Sequence, residues 1–439
     1  MRTFADGDPE SRRRRRRPLS AFPAPPTLPA WAGWSSSRLL VLLMVLGVLQ
    51  LPHMDVTSDV KVIYQGWAEV LRTGTYPMDD VTWQYPPLAA AVIMVPLWLP
   101  GSYFTGFLTL VVACDAAVMF LLLRRRQGQG GGPDRWDGAR LWAVAVPLLG
   151  PTVYCRFDLV VTLFGVVALL ALTERPRLAG ALANLGALLK VWPVLLLVGV
   201  APGRRGLRAW VSCAVTGIAV CFLVAVSMTG AFSFLDFQQS RGIEIESLGA
   251  LPFYFASLFL HWHGRTQMHY GSLEFLGPHV HAVSRLMLVL TALALGFLGL
   301  WRLRAERWSA ATGADAGLAA LLLFTVTSRV ISPQYLVWLI GVAAVCLSVR
   351  GSCQRPVAWL LLAAVPLTTL EFPVMFGDLV NRTPIGAALI SVRNLLLLAA
   401  AVLACVRLWR STVGPSAVAA PGRTATVAAP PADLRATAR

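Results

Sequence analysis

The sequence predicts an all-α polytopic membrane protein. Hydrophobic residues make up 56% of the 439-residue chain and charged residues only 14%, roughly half the charge a soluble protein carries. Apolar stretches recur along most of the length, separated by short arginine-rich breaks. That is the pattern of repeated bilayer crossings, not of one anchor. The net charge of +16 does not point to nucleic acid. The arginines cluster at the ends of hydrophobic segments, where positive-inside topology places them.

The chain opens MRTFADGDPESRRRRRRPLSAFPAPPTLPA. Its basic run leads into proline-rich sequence with no adjacent apolar core or small-residue cleavage site, so it is not a signal peptide. Residues 1–37 are expected to form a disordered cytoplasmic tail able to touch anionic headgroups. Residues 411–439, rich in Ala, Pro and Thr, are expected to form a second disordered tail. The membrane body is then about residues 38–410. Seven cysteines lie in it without CxxC spacing, most inside apolar runs, and read as packing residues.

Basic clusters at 12–17, 124–126, Arg175 with Arg177, Arg204 with Arg205 and Arg208, Arg302 with Arg304 and Arg307, Arg350 with Arg355, and Arg407 with Arg410 mark the cytoplasmic side. Between them the chain crosses an even number of times. Spans are expected near 38–52, 105–123, 209–230, 281–301, 309–327, 334–349, 356–371 and 385–406. Residues 140–173 hold two short runs around PTVYCRFD. Residues 178–202, flanked by basic clusters on both sides, predict two half-length helices turning at 190–193, tolerated where protein or water surrounds the bend. The total is about twelve crossings with both termini inside. The runs 86–99 and 250–262 are expected to be re-entrant or interfacial. Nearly every acidic residue of the body then falls on the outer face.

The first outer loop reads TSDVKVIYQGWAEVLRTGTYP, residues 57–77. Val60, Ile63, Tyr64, Trp67, Val70 and Leu71 recur at helical spacing, which predicts an amphipathic helix over 59–72 along the membrane surface. Ser58 is the expected N-cap and Gly74 the stop. Asp59 sits in the first turn, where it either complements the helix dipole or serves chemistry. Asp79 and Asp80 read as a solvated turn. Pro86 and Pro87 start the next apolar run rigidly.

Three cations stand out. Lys190 is ionisable amid apolar sequence, which marks either a functional site or a snorkelling side chain. Arg329, in TSRVISP, is an interfacial anchor or a site residue. Arg241 shares QSRGIEIES with Glu244 and Glu246, as a loop salt bridge or an edge that binds sugar hydroxyls. Arg156 and Asp158 in YCRFD read as a local pair at a hairpin tip. The stretch HWHGRTQMHYGSLEFLGPHVH holds His261, His263, His269, His279 and His281. Without regular spacing or a nearby Cys it reads as an interfacial loop, with Trp262 and Tyr270 at headgroup level, in preference to a zinc site.

The early SD…Y…G…Y…YPP loop, KVWP, QSRGIEIESLGALP and SRVISPQYLVWLI, in that order over about residues 38–410, resemble glycosyltransferase family 87. The resemblance implies a GT-C-type bundle, a polyprenyl-phosphate sugar donor, inversion at the anomeric carbon, and Asp59 as the catalytic carboxylate. Where mannosyltransferase members carry a histidine-rich segment before the late Trp, this chain has Gln334 and Tyr335 in ISPQYLVW. Mannose is then the first choice, with pentofuranose and glucose next.

Transfer from a monophosphate needs a base near the acceptor hydroxyl and cations on the phosphate. Asp59 supplies the first, and Lys190, Arg241 and Arg329 the second. Glu244, Glu246, Tyr76, Tyr85, Gln334 and Tyr335 are the expected sugar and acceptor contacts. No cofactor or metal is expected, since one phosphate held by two or three cations needs none. The acceptor is a glycolipid, a glycan or a protein. A transporter or flippase is the alternative, disfavoured by the lack of an internal repeat and by charges gathered on one face.

Overall fold

The structure, a computed structural model, describes residues 28–49, 55–128, 137–239 and 241–414. Most of both predicted tails lies outside these residues. Helix α1 spans Leu28–Val45, so residues 28–37, expected in the N-terminal tail, are helical. The reason is a buried target: the Trp34 indole N–H donates to Asp115 at 3.2 Å, and Trp31 meets Trp34 edge-on at 5.4 Å.

The first loop forms a π-helical stretch, Asp59–Tyr64, running into α2, Gln65–Leu71. Much of its apolar face is buried against protein: Val60, Tyr64, Trp67 and Leu71 are buried, while Val70 stays exposed. Tyr64 packs between Phe107 and Phe157, and Trp67 against Trp83. Ser58 makes no capping bond. Asp55 instead accepts the backbone N–H and hydroxyl of Thr57, each at 2.8 Å. Gly74, at φ +82°, stops the helix as expected. Asp80 is not a free solvated carboxylate. It accepts from the Trp67 indole at 2.7 Å and from the Thr82 N–H at 2.8 Å.

Then come α3 (Ala89–Met94, extended by a 3₁₀ turn to Trp98) and α4 (Tyr103–Gly128). The two short runs of 140–173 become α5 (Gly138–Leu148) and α6 (Asp158–Ala171), joined through a 3₁₀ turn at Pro151–Tyr154. The next interval breaks as predicted, into α7 (Pro176–Ala187) and a 3₁₀ helix, Trp192–Gly199. Pro193 and the neighbouring Gly186 meet at this bend. Helix α8 (Arg204–Ser227) approaches α7 so closely that a Cβ on Gly180 would lie 2.0 Å from the Ala209 carbonyl oxygen.

After α9 (Phe234–Gln239) the chain forms β1 (Ile243–Glu244), α10 (Leu251–Phe259), β2 (Arg265–His269) and β3 (Ser272–Leu276). The sheet is antiparallel in the order β1-β3-β2, with Phe275 opposite both Ile243 and Thr266. The histidine-rich segment, expected as an interfacial loop, is therefore partly a hairpin. Tyr270 and Gly271 turn it, both at positive φ (48° and 76°), the geometry that matches strand twist in a two-residue turn. Phe275 anchors it in a cluster with Phe253, Tyr254 and Trp262.

The rear half is α11 (Val280–Arg304), α12 (Thr312–Thr327), α13 (Tyr335–Leu347), α14 (Arg355–Thr369), α15 (Phe376–Val380) and α16 (Pro384–Thr412). Among the described residues five helical stretches are long and apolar enough to cross a bilayer: Tyr103–Arg125, Arg204–Ser227, Val280–Arg304, Arg355–Val374 and Pro384–Thr412. Seven other apolar helices run 10–17 residues. The protein is a helical membrane protein. Helix α13 is apolar all round and buried all round, whereas α8 and α11 leave most of their apolar surface uncovered. Only lipid makes that exposure favourable.

Charges inside this bundle are tied off. Asp115 of α4 accepts from Arg38 and Trp34 of α1, from Trp142 of α5, and from Tyr154. Arg393 of α16 pairs with Glu371, both fully buried. The seven cysteines are all free thiols.

Candidate active site

One cavity of about 690 Å³ gathers side chains from the whole length of the chain. The first loop contributes Asp59 and Tyr85, and the middle contributes Arg156 and Lys190. The segment before β1 gives Arg241, Glu244 and Glu246, and the rear gives Arg329, Gln334 and Tyr335. Of the residues predicted from sequence, only Tyr76 falls outside it. Its ring is buried and its hydroxyl donates to the Pro87 carbonyl oxygen at 2.8 Å, so it fixes the loop. The hairpin forms part of the lining through Met268, Tyr270 and Ser272, and its turn at Gly271 rests on Thr82 of the first loop. Phe234, Leu235, Leu288 and Phe324 add apolar lining.

Asp59 does not serve merely as a helix-dipole partner. Its Oδ2 pairs with Arg156 Nη2 at 2.6 Å, with the Asp59 side chain 33% exposed. The expected Arg156–Asp158 pair does not form. The two side chains part, and Asp158 binds Lys190, whose Nζ donates to both carboxylate oxygens at 2.8 and 3.0 Å. The ammonium also lies within 5.0–5.6 Å of the ring centroids of Tyr85, Phe157, Tyr335 and Trp338. Four aromatic faces and a carboxylate satisfy it almost completely. Lys190 does not snorkel. It is a fixed element of the wall.

On the opposite wall Arg241 does not pair with Glu244 or Glu246. Its partner is Glu274 of β3 at 3.5 Å, and it donates to Ser272 Oγ at 2.8 Å. Glu274 also accepts the Gly242 N–H and meets His269. Arg329 donates to the carbonyl oxygen of Arg241 at 2.8 Å. Glu244 accepts from the Ile331 N–H at 2.7 Å and from Ser332, tying the QSRGIEIES segment to the SRVISP segment. Burial pushes its carboxyl up to about 7, with Arg241 opposing. Glu246 is pushed well above the carboxylate range, by burial first and then by Glu371 and Glu244. Its side chain is 5% exposed, and its Oε1 has no hydrogen-bond partner among the described residues.

This cavity carries the machinery that group transfer from an anionic donor requires: a carboxylate open to substrate, several cations, hydrogen-bonding acids and an apolar flank. The model of glycosyltransferase family 87 matches residues 83–333. The chain belongs to that family. It is a membrane glycosyltransferase, which decides against the transporter alternative. No curated protein and no solved structure matches the chain. The family match covers Tyr85, Lys190, Arg241, Glu244, Glu246 and Arg329. Asp59 and Tyr76 precede it, and Gln334 and Tyr335 follow it directly.

For this family 87 chain, sequence reasoning missed three features of the site. Arg156 was assigned to a local pair, although a charged residue between apolar runs is itself a signal. Glu274 was hidden in the histidine-rich stretch, where period-two alternation in SLEFL was the available sign. Glu371 and Arg393, which border Glu246 electrostatically, lie far apart in sequence and carried no signal. Among the described residues no cluster of three or more His, Cys, Asp or Glu side chains could hold a metal ion.

Proposed function

We propose that the cavity transfers a sugar, mannose by first choice, from a polyprenyl-phosphate donor to an acceptor hydroxyl at the extracytoplasmic face, with inversion. The observation that carries this reading is the convergence of Asp59 with Arg156, Lys190, Arg241 and Arg329 in one space. Phe234, Leu235, Leu288 and Phe324 flank it with a surface suited to an isoprenyl chain.

In the reaction the acceptor oxygen attacks the anomeric carbon while its proton passes to Asp59. A new C–O bond forms. The bond between the anomeric carbon and the phosphate oxygen breaks, and its electron pair leaves with the lipid phosphate. The Asp59 side chain, a third open to the cavity beside Arg156, is placed to take the proton. Arg241 and Arg329, without leaving their own partners, lend positive charge to the side of the cavity where charge grows on the phosphate, and Lys190 holds Asp158 in place. Glu244, Glu246, Gln334 and Tyr335 bind sugar or acceptor hydroxyls, with Tyr85 a ring for sugar faces. A monophosphate held this way needs no metal or cofactor. The acceptor is a glycolipid, a glycan or a protein. The arginine clusters put both termini in the cytoplasm of a plasma-membrane protein.

The test is to incubate membranes containing the protein with a panel of radiolabelled polyprenyl-phosphate sugars, with Asp59→Asn as the control. Transfer of one sugar that the variant abolishes is expected. Full turnover by Asp59→Asn would remove Asp59 from the mechanism.

A further inference from the structure

The four cations of the cavity differ in what holds them. Lys190 grips Asp158, 1% exposed, and Arg241 faces Glu274, 0% exposed. Asp158 cannot be abandoned when Lys190 turns to a ligand, because a buried unpaired charge is strongly unfavourable, and Glu274, which keeps the Gly242 N–H and His269, would still lose its guanidinium. Arg329 is committed to the Arg241 carbonyl oxygen. Arg156 is held differently. Its counter-ion, Asp59, is itself a cavity group, open to water or substrate over a third of its side chain. If the guanidinium shifts, this carboxylate keeps a solvated partner. Arg156 Nη1 stays anchored on the Cys155 carbonyl oxygen at 2.8 Å. Its remaining N–H groups have no acceptor among the described residues. A planar fork with spare donors suits a phosphate better than an ammonium does.

We propose that Arg156 is shared between Asp59 and the donor phosphate. The phosphate competes with Asp59 Oδ2 for the guanidinium, so the donor frees the carboxylate as it binds. The pair then keeps the empty site neutral and exposes the base only when a sugar is in place to react. The inference rests on reading the cavity as the donor site, and it adds Arg156 to the phosphate contacts that the sequence assigns to Lys190, Arg241 and Arg329.

The competition can be read without turnover. Farnesyl phosphate, inorganic phosphate and farnesol are titrated into the purified full-length protein and its variants. Arg156→Gln is expected to bind farnesyl phosphate about tenfold or more weakly, the scale of a charged hydrogen bond. Asp59→Asn, which removes the competitor, is expected to bind it several-fold more tightly, and the double variant is expected to lose that gain. Farnesol affinity stays constant throughout. An effect seen with inorganic phosphate as well assigns the site to the phosphate group itself, and one confined to farnesyl phosphate assigns it to the lipid-linked form.

Unchanged farnesyl phosphate affinity in Asp59→Asn, or wild-type affinity in Arg156→Gln, overturns the proposal. Should Arg156→Gln fold poorly, Arg156→Lys carries the same test, with intermediate affinity expected. If Asp59→Asn keeps full turnover while these affinities shift as stated, the base assignment fails and the shared cation stands. If Asp59→Asn is inactive and the affinities do not move, the reverse holds.

Discussion

The two walls of the cavity use the same residue types to opposite ends. On the front wall Asp59 meets Arg156 with a third of its side chain open, and its helix begins at that residue. On the rear wall Glu244, Glu246 and Glu274 are almost wholly buried behind β1, β3 and the SRVISP segment. A carboxylate with one cation beside it and a third of its surface open can accept a proton. A buried one is either tied to a cation, as Glu274 is, or pushed upward by burial and like charges, as Glu246 is. The front wall is equipped for proton transfer and the rear wall for fixing geometry and offering hydrogen bonds. Asp158 shows that the distinction is one of setting and not of position. It belongs to the front wall, yet at 1% exposure and with Lys190 on both oxygens it behaves like a rear-wall group.

Breaking the comparison at its reactive end has the largest expected effect. Asp59→Asn should lower turnover by about 100-fold or more, the scale of lost general-base catalysis, with a fall in melting temperature smaller than that of Lys190→Met, since Asp59 is a third open. A parallel loss of stability would place Asp59 among the structural carboxylates.

The next effect is on stability. Lys190→Met leaves Asp158 charged and buried, and should cost about 3–5 kcal/mol, seen as a large fall in melting temperature. Adding Asp158→Asn should restore part of it. A Lys190→Met protein as stable as the parent would show that the cage is not holding the wall together.

A smaller effect follows from Glu244. Its folded-state carboxyl titrates at about 7, above the ordinary 4.5. Such a group favours the fold fully below its unfolded value and loses that contribution as pH rises through the folded value. Melting temperature should therefore decline between about pH 5 and pH 8, and the decline should shrink in Glu244→Gln.

The smallest change is expected at Glu246. Because burial and the neighbouring Glu371 and Glu244 disfavour a charge on Glu246, Glu246→Gln, which keeps the shape without the charge, should leave stability intact, with KM for the sugar donor raised by less than about threefold. Glu246→Leu, which removes the hydrogen bond, should raise it about tenfold. Equal KM values in the two variants would exclude a hydrogen bond from Glu246 to substrate.

How far the site could be read from the sequence follows from the range of each signal. Lys190 was visible because an ionisable side chain in apolar surroundings is conspicuous in one dimension, Asp59 through the family resemblance of its loop, and Arg241 and Arg329 through the QSRGIEIES and TSRVISP stretches in which they stand. Their partners were not. Lys190 chooses Asp158 across 32 residues, while Arg156, two positions from that Asp, reaches back to Asp59. The hairpin was obscured because five histidines drew the reading toward a polar loop, whereas Phe275 and the positive-φ turn at Tyr270 and Gly271 define it. Helix α1 was begun too late because Pro26 and Pro29 suggest disorder, and nothing local shows that Asp115 awaits Trp34 and Arg38.

The sequence by itself determined that this is a helical membrane protein, that the 178–202 segment breaks near its proline, and which charged residues are out of place in apolar surroundings. These follow from hydropathy, backbone geometry and charge, all of which act over a few residues. Tertiary structure alone decided which charge meets which, and so which carboxylate stays open and which cation is committed. Pairing in a low-dielectric interior depends on distances and burial that exist only once distant segments have packed together.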